Sequence, residues 1–327
     1  MTVNHPHGEI KIFAGNSVPG LARGIAERLG VSLGKAEVNR FSDGETSVTI
    51  GETVRGCDVY VVQSTMSPAN DHLMELLIMM DAFKRASAGR INAVIPYYGY
   101  ARQDRKVKSR DPITAKLVAD LLTVAGADRV ITMDLHSEQI QGYFDIPLDN
   151  LLGAPILYDY LEKKGFTAKD GDIVMVAPDI GSVTRTRRVA GQIGAPIAII
   201  DKRRPRPNVS EIMNIIGDVR DKRCIMLDDM IDTAGTVANA AKALKEHGAK
   251  EIYAAATHSV LSGEACQRLA DAPLNEVILI DTIPIPKEKH LDKFVVLSCV
   301  DLFSEAIHRI YTDEPLSSLF MVGETRV

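Results

Sequence analysis

Short continuous apolar runs alternate along the chain with stretches whose apolar residues recur every three or four positions. The runs are "IKIFAG", "DVYVVQS", "INAVIPYYG", "VITMDLH", "DIVMVAP", "PIAIID", "CIMLDD", "IYAAATH" and "VILIDTI". Runs of this kind, apolar on both faces, predict interior strands of parallel sheets, and the intervening periodicity predicts covering helices. Residues 224–250 show the grammar most clearly. Cys224, Ile225, Met226 and Leu227 read as a buried strand. Asp228 and Asp229 stand at its carboxyl end. Val237, Ala240, Ala241 and Leu244 then mark one helix face, and Gly248 closes that helix in the C′ position. The predicted class is α/β, a mostly parallel sheet flanked by helices.

Two comparisons within the chain point to a duplicated unit. "AGADRVITMDLH" (125–136) aligns with "HGAKEIYAAATH" (247–258), which puts His136 and His258 in mirrored positions. "IKIFAGNSVPGLARGIA" similarly matches "DIVMVAPDIGSVTRTRRVA" as strand, loop, helix. A length of 327 residues suits about two domains. The expected division is 1–153 and 154–312, joined near "DNLLGAP", with 313–327 returning to the first domain.

Composition narrows the classes without naming one. Net charge is −5 and the basic residues are scattered, which argues against a nucleic-acid partner held by bulk positive charge. The four cysteines lie far apart without metal-ligand spacing, so they read as reduced structural thiols. No apolar leader and no run of ~18 apolar residues appears, so no membrane is expected and the cytoplasm is the expected compartment.

The chemistry concentrates after the 224–227 run. Asp232, Thr233, Ala234, Gly235 and Thr236 sit where a helix begins. There the first amides lack intrahelical partners and the dipole is positive. Small residues admit an anion close to that backbone, and two threonine hydroxyls add donors, which makes a phosphate cradle. Asp228 and Asp229 accept hydrogen bonds, which suits sugar hydroxyls. The competing reading is ordinary helix capping by Asp or Thr. Capping accounts for one such residue but not for the two acids preceding it.

"LDDMIDTAGT" resembles the phosphoribosyl diphosphate (PRPP) motif of type I phosphoribosyltransferases. The wider set "NRFSDGE", "YARQDRK", "SRDPITAKLVADLL", "VITMDLHSEQIQGYFDIPLDNL", "PDIGSVTRTRRVA", "IIDKRRPRPN" and "FSEAIHRIY" is similar to the ribose-phosphate diphosphokinase (PRPP synthetase) family in its bacterial class I form. The resemblance implies two tandem phosphoribosyltransferase-like domains. It implies transfer of the diphosphoryl group of ATP to the 1-hydroxyl of ribose 5-phosphate, giving PRPP and AMP for nucleotide biosynthesis. It assigns ATP to Phe41, Asp43, Gly44, Glu45, Arg102 and Gln103, since the chain has no P-loop. Ribose 5-phosphate falls to Asp228, Asp229, Asp232, Thr233, Ala234, Gly235, Thr236 and Arg204. Lys202 and Arg204 become the catalytic, charge-stabilising pair. Mg²⁺ falls to His136 and Asp179. Inorganic phosphate becomes an activator at a site that also takes ADP, with Ser109, Asp149, Asn150 and Ser317, and self-association to a hexamer is implied.

Taken without the resemblance, several of these residues keep ordinary readings. "SDGE" is a turn, Arg102 a solvated charge, "DKRRPRPN" a solvated basic loop, and His136 a strand-end histidine. A nucleobase phosphoribosyltransferase and a catalytically silent subunit of the same family are the alternatives. The first needs neither the second half nor "DKRR". The second predicts disrupted positions, whereas Lys202, Arg204, His136 and Asp179 all match.

Overall fold

The computed structural model describes residues 7–166, 171–203 and 212–319, and these form two compact units. The elements run β1 (Ile10–Ala14), α1 (Pro19–Arg28), β2 (Ala36–Arg40), β3 (Thr46–Ile50), β4 (Asp58–Val62), α2 (Ala69–Arg85), β5 (Arg90–Ile95), α3 (Thr114–Ala125), β6 (Arg129–Met133) and β7 (Leu148–Leu151). They continue with α4 (Ala154–Lys163), β8 (Ile173–Ala177), α5 (Val183–Ile193), β9 (Ile197–Arg203), β10 (Ile212–Ile216), β11 (Arg223–Met230), α6 (Gly235–Glu246), β12 (Glu251–His258), α7 (Ala265–Asp271), β13 (Glu276–Ile280), β14 (Phe294–Leu297) and α8 (Val300–Tyr311).

The first unit holds a parallel sheet in the order β1-β4-β5-β6-β7, and β2 and β3 form a separate antiparallel ribbon. The second unit holds a sheet in the order β10-β9-β8-β11-β12-β13-β14, parallel except for β10. Every apolar run named above became a strand, most of them fully buried, with β1 and β9 half-buried. The strands outside those runs are β2, β3, β7, β10 and β14. β7, β10 and β14 are sheet edges and the ribbon is half-exposed; β14 does carry an apolar run, "FVVL", which is not among those above.

Each unit has its own core. In the first, Phe13, Val59, Val61, Leu76, Met79, Phe83 and Ile95 pack between sheet and helices. In the second, Val176, Ala198, Met226, Ala241, Leu244 and Leu279 do so, and Val237, Ala240, Ala241 and Leu244 form the buried face of α6 that their spacing predicts. Gly248 has a φ of 87°, the left-handed turn that ends α6. Cys57, Cys224 and Cys299 are buried, Cys266 is half-buried, and all four are free thiols.

The sheets bear out duplication in their order. β1, a hairpin, then β4-β5-β6-β7 corresponds to β8, a hairpin, then β11-β12-β13-β14. On this correspondence β12 matches β5, and β6 matches β13. His136, after β6, and His258, at the end of β12, therefore stand on non-equivalent strands, and the mirrored alignment of 125–136 with 247–258 is corrected. It matched two helix-glycine-strand passages whose local pattern is the same at every step of such a sheet.

The units also divide differently from a cut at 312. Up to Leu152 the chain belongs to the first unit, as do Thr282–Pro284 and the described residues from Cys299 on. Helix α8 packs on α1 there, and Tyr311 Oη donates to the Gly8 carbonyl at 3.0 Å. Arg90 pairs with the buried Asp58 and reaches the carbonyl of Ile310 at 3.5 Å. Helix α4, next in sequence to the first unit, packs instead on α5 of the second.

Candidate active site

Strand β11 lies in the middle of the second sheet, where Cys224 to Leu227 are fully buried. Its carboxyl end delivers Asp228 and Asp229 to the edge of the sheet at which open α/β folds hold ligands. Asp229 is 4% exposed, and the Asp228 side chain is about one-fifth exposed. The backbone N–H of Asp229 donates to Asp228 Oδ1 at 2.9 Å. Burial first, then the charge and hydrogen bonding of Asp229, then the charge of Asp179, push the Asp228 carboxyl well above the ordinary carboxylate range, to about 8. Asp228 thus meets Asp229 directly and feels the charge of Asp179 more weakly, and a cation or a hydroxyl donor would relieve that repulsion.

Arg185 of α5 faces this corner. Its Nη1 lies 3.6 Å from Asp229 Oδ1 and 3.8 Å from Asp228 Oδ1. Sequence reasoning missed it. "RTRR" supplies three arginines within four residues, and only the packing of α5 distinguishes half-buried Arg185 from exposed Arg187 and Arg188.

From Met230 the chain turns through Ile231, whose N–H donates to the His258 carbonyl at 2.9 Å. Asp232 and Thr233 lead to Ala234, which enters the helix at φ 60°, ψ 4°. A non-glycine residue held in the left-handed region costs about 1 kcal/mol or more, and such strain concentrates at ligand sites. Ala234 is the N-cap, so no side chain caps α6. The capping reading of Asp232, Thr233 or Thr236 is therefore not what this helix uses, and its first-turn amides keep their donors for a ligand. A Cβ built on Gly235 meets nothing closer than Thr233 Oγ1 at 3.9 Å and Arg268 Nη1 at 4.0 Å, so open space lies over these amides. Arg268 also donates to the Thr233 carbonyl at 3.0 Å, which adds positive charge beside the cradle.

Asp179 follows β8, the strand beside β11. Its Oδ1 accepts the Ser182 N–H at 2.9 Å, and Ser182 Oγ donates to the Asp179 carbonyl at 2.9 Å, which fastens the start of α5. Asp179 therefore has a structural bond in addition to its place beside Asp228. The hairpin of β9 and β10 carries Lys202 on its first strand, paired with Met213. Arg204 lies outside the described residues.

In the first unit the hairpin of β2 and β3 turns through Phe41, Asp43, Gly44 and Glu45. The Phe41 N–H donates to the Glu45 carbonyl at 2.8 Å, Asp43 Oδ1 accepts the Glu45 N–H at 3.1 Å, and Gly44 has a φ of 94°. Phe41 is 58% exposed, so its ring is open to a planar partner. Arg102 and Gln103 are exposed on the loop after β5. Two bonds bring both segments to the first turn of α2: Arg40 donates to Asp71 at 2.8 Å, and Tyr100 Oη donates to Asn70. The Gln103 side chain accepts the Thr114 hydroxyl, and its carbonyl accepts the Ala115 N–H at 3.1 Å, so Gln103 also sets the start of α3.

His136 is exposed just beyond β6, on a loop that Asn150 holds by accepting the Leu135 N–H at 3.1 Å. Asp149 is ion-paired to Arg129 across β6 and β7. Both residues thus have structural bonds of their own, whereas Ser109 is exposed on a turn and Ser317 is exposed at the start of a short 3-10 helix, Ser317–Leu319. His136 falls in the first unit and Asp179 in the second. Among the described residues no group of three or more His, Cys, Asp or Glu is arranged to hold a metal ion, and no helix is long and apolar enough to cross a membrane.

Residues 10–126 match the N-terminal domain of ribose phosphate pyrophosphokinase, and residues 185–321 match the phosphoribosyl synthetase-associated domain. The chain is 68% identical over 311 residues to a ribose-phosphate pyrophosphokinase of Clostridium perfringens, covering 95% of this chain and 97% of that one. It is 64% identical to a ribose-phosphate pyrophosphokinase of Clostridium tetani, covering 98% and 100%. Among solved structures, the phosphoribosylpyrophosphate synthetase of Mycobacterium smegmatis superposes with a TM-score of 0.88 at 44% identity, covering 93% of this chain and 99% of that one.

Proposed function

Because this chain belongs to the ribose-phosphate pyrophosphokinase family, we propose that the end of β11 and the start of α6 hold ribose 5-phosphate while the hairpin of the first unit contacts ATP. The enzyme is an ATP-dependent diphosphotransferase of nucleotide biosynthesis, making PRPP and AMP. One observation carries the placement of the sugar phosphate. Paired acids lead through a left-handed Ala234 into a helix whose first turn no side chain caps. The 5-phosphate takes the amides of Gly235 and Thr236 and the threonine hydroxyls. Ribose hydroxyls donate to Asp228 and Asp229.

In the reaction the anomeric oxygen attacks the β-phosphorus of ATP. The new O–P bond forms as the α,β-bridging bond breaks, the hydroxyl proton leaves, and AMP departs with the bridging oxygen. No side chain forms a covalent intermediate. Lys202 and Arg204 stabilise the charge that grows on the transferred group. Phe41 offers its face to the base, and Asp43, Gly44, Glu45, Arg102 and Gln103 complete the nucleotide contacts.

The oxygen-rich corner of Asp179 and Asp228 fits a hard cation such as Mg²⁺, which keeps several waters and takes few protein ligands. Bound there, Mg²⁺ supplies charge neutralisation to the phosphate oxygens. Asp179 would hold it, and His136 is the second proposed ligand. Ser109, Asp149, Asn150 and Ser317 are proposed for inorganic phosphate and ADP, and the chain is proposed to assemble as a hexamer in the cytoplasm. Sedimentation at enzyme concentrations of the assay tests the hexamer.

Incubation with ATP, Mg²⁺ and ribose 5-phosphate tests the reaction: AMP and PRPP should appear in equal amounts. Release of ADP, or activity only with PRPP and a nucleobase, would refute it.

A further inference from the structure

Aligning the two units by strand order places Ala14 of β1 with Ala177 of β8. In the ladders Ala14 faces Val62, and Val176 faces Met226, so Ala177 lies beside Leu227. Asn16 then stands where Asp179 stands, and Gln63 and Ser64 stand where Asp228 and Asp229 stand. The acids of the second unit are thus replaced in the first by two amides and a hydroxyl.

These residues are bound to one another. Gln63 Oε1 accepts the Ser17 N–H at 2.9 Å and the Ser17 hydroxyl at 2.7 Å. Gln63 Nε2 donates to Glu75 Oε2 at 2.8 Å and to the His72 carbonyl at 3.3 Å. Asn16 Nδ2 donates to the other Glu75 oxygen at 3.1 Å and to the Val38 carbonyl of β2 at 3.0 Å. Gly15 leaves the room, since a Cβ there would lie 2.3 Å from Gln63 Oε1. Glu75 is 2% exposed on α2, so both its oxygens are used inside the fold, on amide donors.

The hairpin explains what this network is for. In the second unit β9 joins β8 through Ile197–Ile199, so its hairpin is part of the main sheet. In the first unit β2 and β3 form a ribbon of their own, tied to β1 by the Gly34 N–H on the Ile12 carbonyl. A ribbon outside the ladder takes its position from side chains. We propose that Glu75, acting through Asn16, is a positioning residue that fixes the β2–β3 hairpin and thereby the Phe41 turn. The proposal rests on the reading of that turn as an ATP contact. It also accounts for the altered acids: a site filled by its own amides no longer takes a sugar phosphate and serves as a mount.

Asn16→Ala removes the outer bond from an exposed position, and Glu75→Gln keeps one acceptor and sets its NH2 against one of the two amide donors at constant size. The KM for ATP should rise about 5–20-fold in each, less than the loss of a direct bond to the ligand because the hairpin is loosened rather than a ligand contact removed, with the ribose 5-phosphate KM within about twofold. Hydrogen exchange of residues 36–50 should accelerate more than that of the β1-β4-β5-β6-β7 sheet, and neither change should add to Phe41→Ala. Unchanged exchange at 36–50, or KM values for both substrates rising together, overturns the mount. An unchanged ATP KM in Phe41→Ala alone overturns the ATP reading of the hairpin, and the inference falls with it, even where exchange has accelerated.

Discussion

Gly235→Ala separates the phosphate cradle from the fold because the two respond in opposite directions. Gly235 is the first residue of α6, and its φ lies outside the left-handed region that would demand glycine. The added methyl meets only Thr233 Oγ1 at 3.9 Å and Arg268 Nη1 at 4.0 Å, which is ordinary contact. Replacing a helical glycine by alanine under these conditions stabilises by a few tenths to about 1 kcal/mol, mostly by restricting the unfolded chain. The melting temperature should therefore rise, by about 2–4 °C at the upper end for a unit of this size. The same methyl occupies the space through which a phosphate approaches the first-turn amides. Loss of one hydrogen bond to a charged group costs about 1.5–3 kcal/mol, or about 10–150-fold in affinity. Calorimetric titration with ribose 5-phosphate and a thermal melt read the two effects separately. A protein that melts higher but binds ribose 5-phosphate as the parent does refutes the cradle. One that melts lower shows that the methyl disturbed the turn, and that the structural reading of Gly235 is wrong.

Lys202→Ala should lower kcat by about 10²–10³-fold with both KM values nearly unchanged, because its ammonium meets charge that develops only during transfer; steady-state kinetics under saturating Mg²⁺ check it. Asp179→Asn keeps an acceptor for the Ser182 N–H, so it should melt normally while the Mg²⁺ concentration for half activity rises; a lower melting temperature with an unaltered Mg²⁺ response would make the residue purely structural. Asp172 accepts two bonds from Arg223, at 2.9 and 3.0 Å, and that pairing holds its carboxyl below the usual range. A depressed folded pKa gives stability that is complete above the unfolded value near 4 and is lost as pH falls through the folded one. Asp172→Asn should thus lower the denaturant midpoint at pH 7 slightly, as expected for a partly exposed pair, and the difference from the parent should shrink as pH falls below about 4.

Much of this protein was legible in its residues. The apolar runs marked nine strands, eight of them interior and β1 at a sheet edge, because a strand covered by neighbours and helices has little polar side to show. The acids, small turn and amphipathic helix of 224–250 marked out the proposed phosphate site, because backbone amides and macrodipole act wherever a helix starts. The expectation that duplication would show in sequence was right in kind and wrong in register, since one βα step looks like the next. Only the packed strand order separates His136 from His258.

Other features belong to tertiary structure alone. The periodicity of residues 300–311 says that α8 has one apolar face, but not which sheet covers it, and it packs on the first unit. Three arginines in "RTRR" look alike until the placement of α5 turns Arg185 toward Asp228 and Asp229. Asn16, Gln63 and Glu75 are common polar residues far apart in sequence, and they form a network only where the ends of β1 and β4 meet α2. The chain's own pattern reports whether a side chain is buried and how its backbone runs. Which partner it meets depends on contacts between segments distant along the chain, and local chemistry carries no record of those.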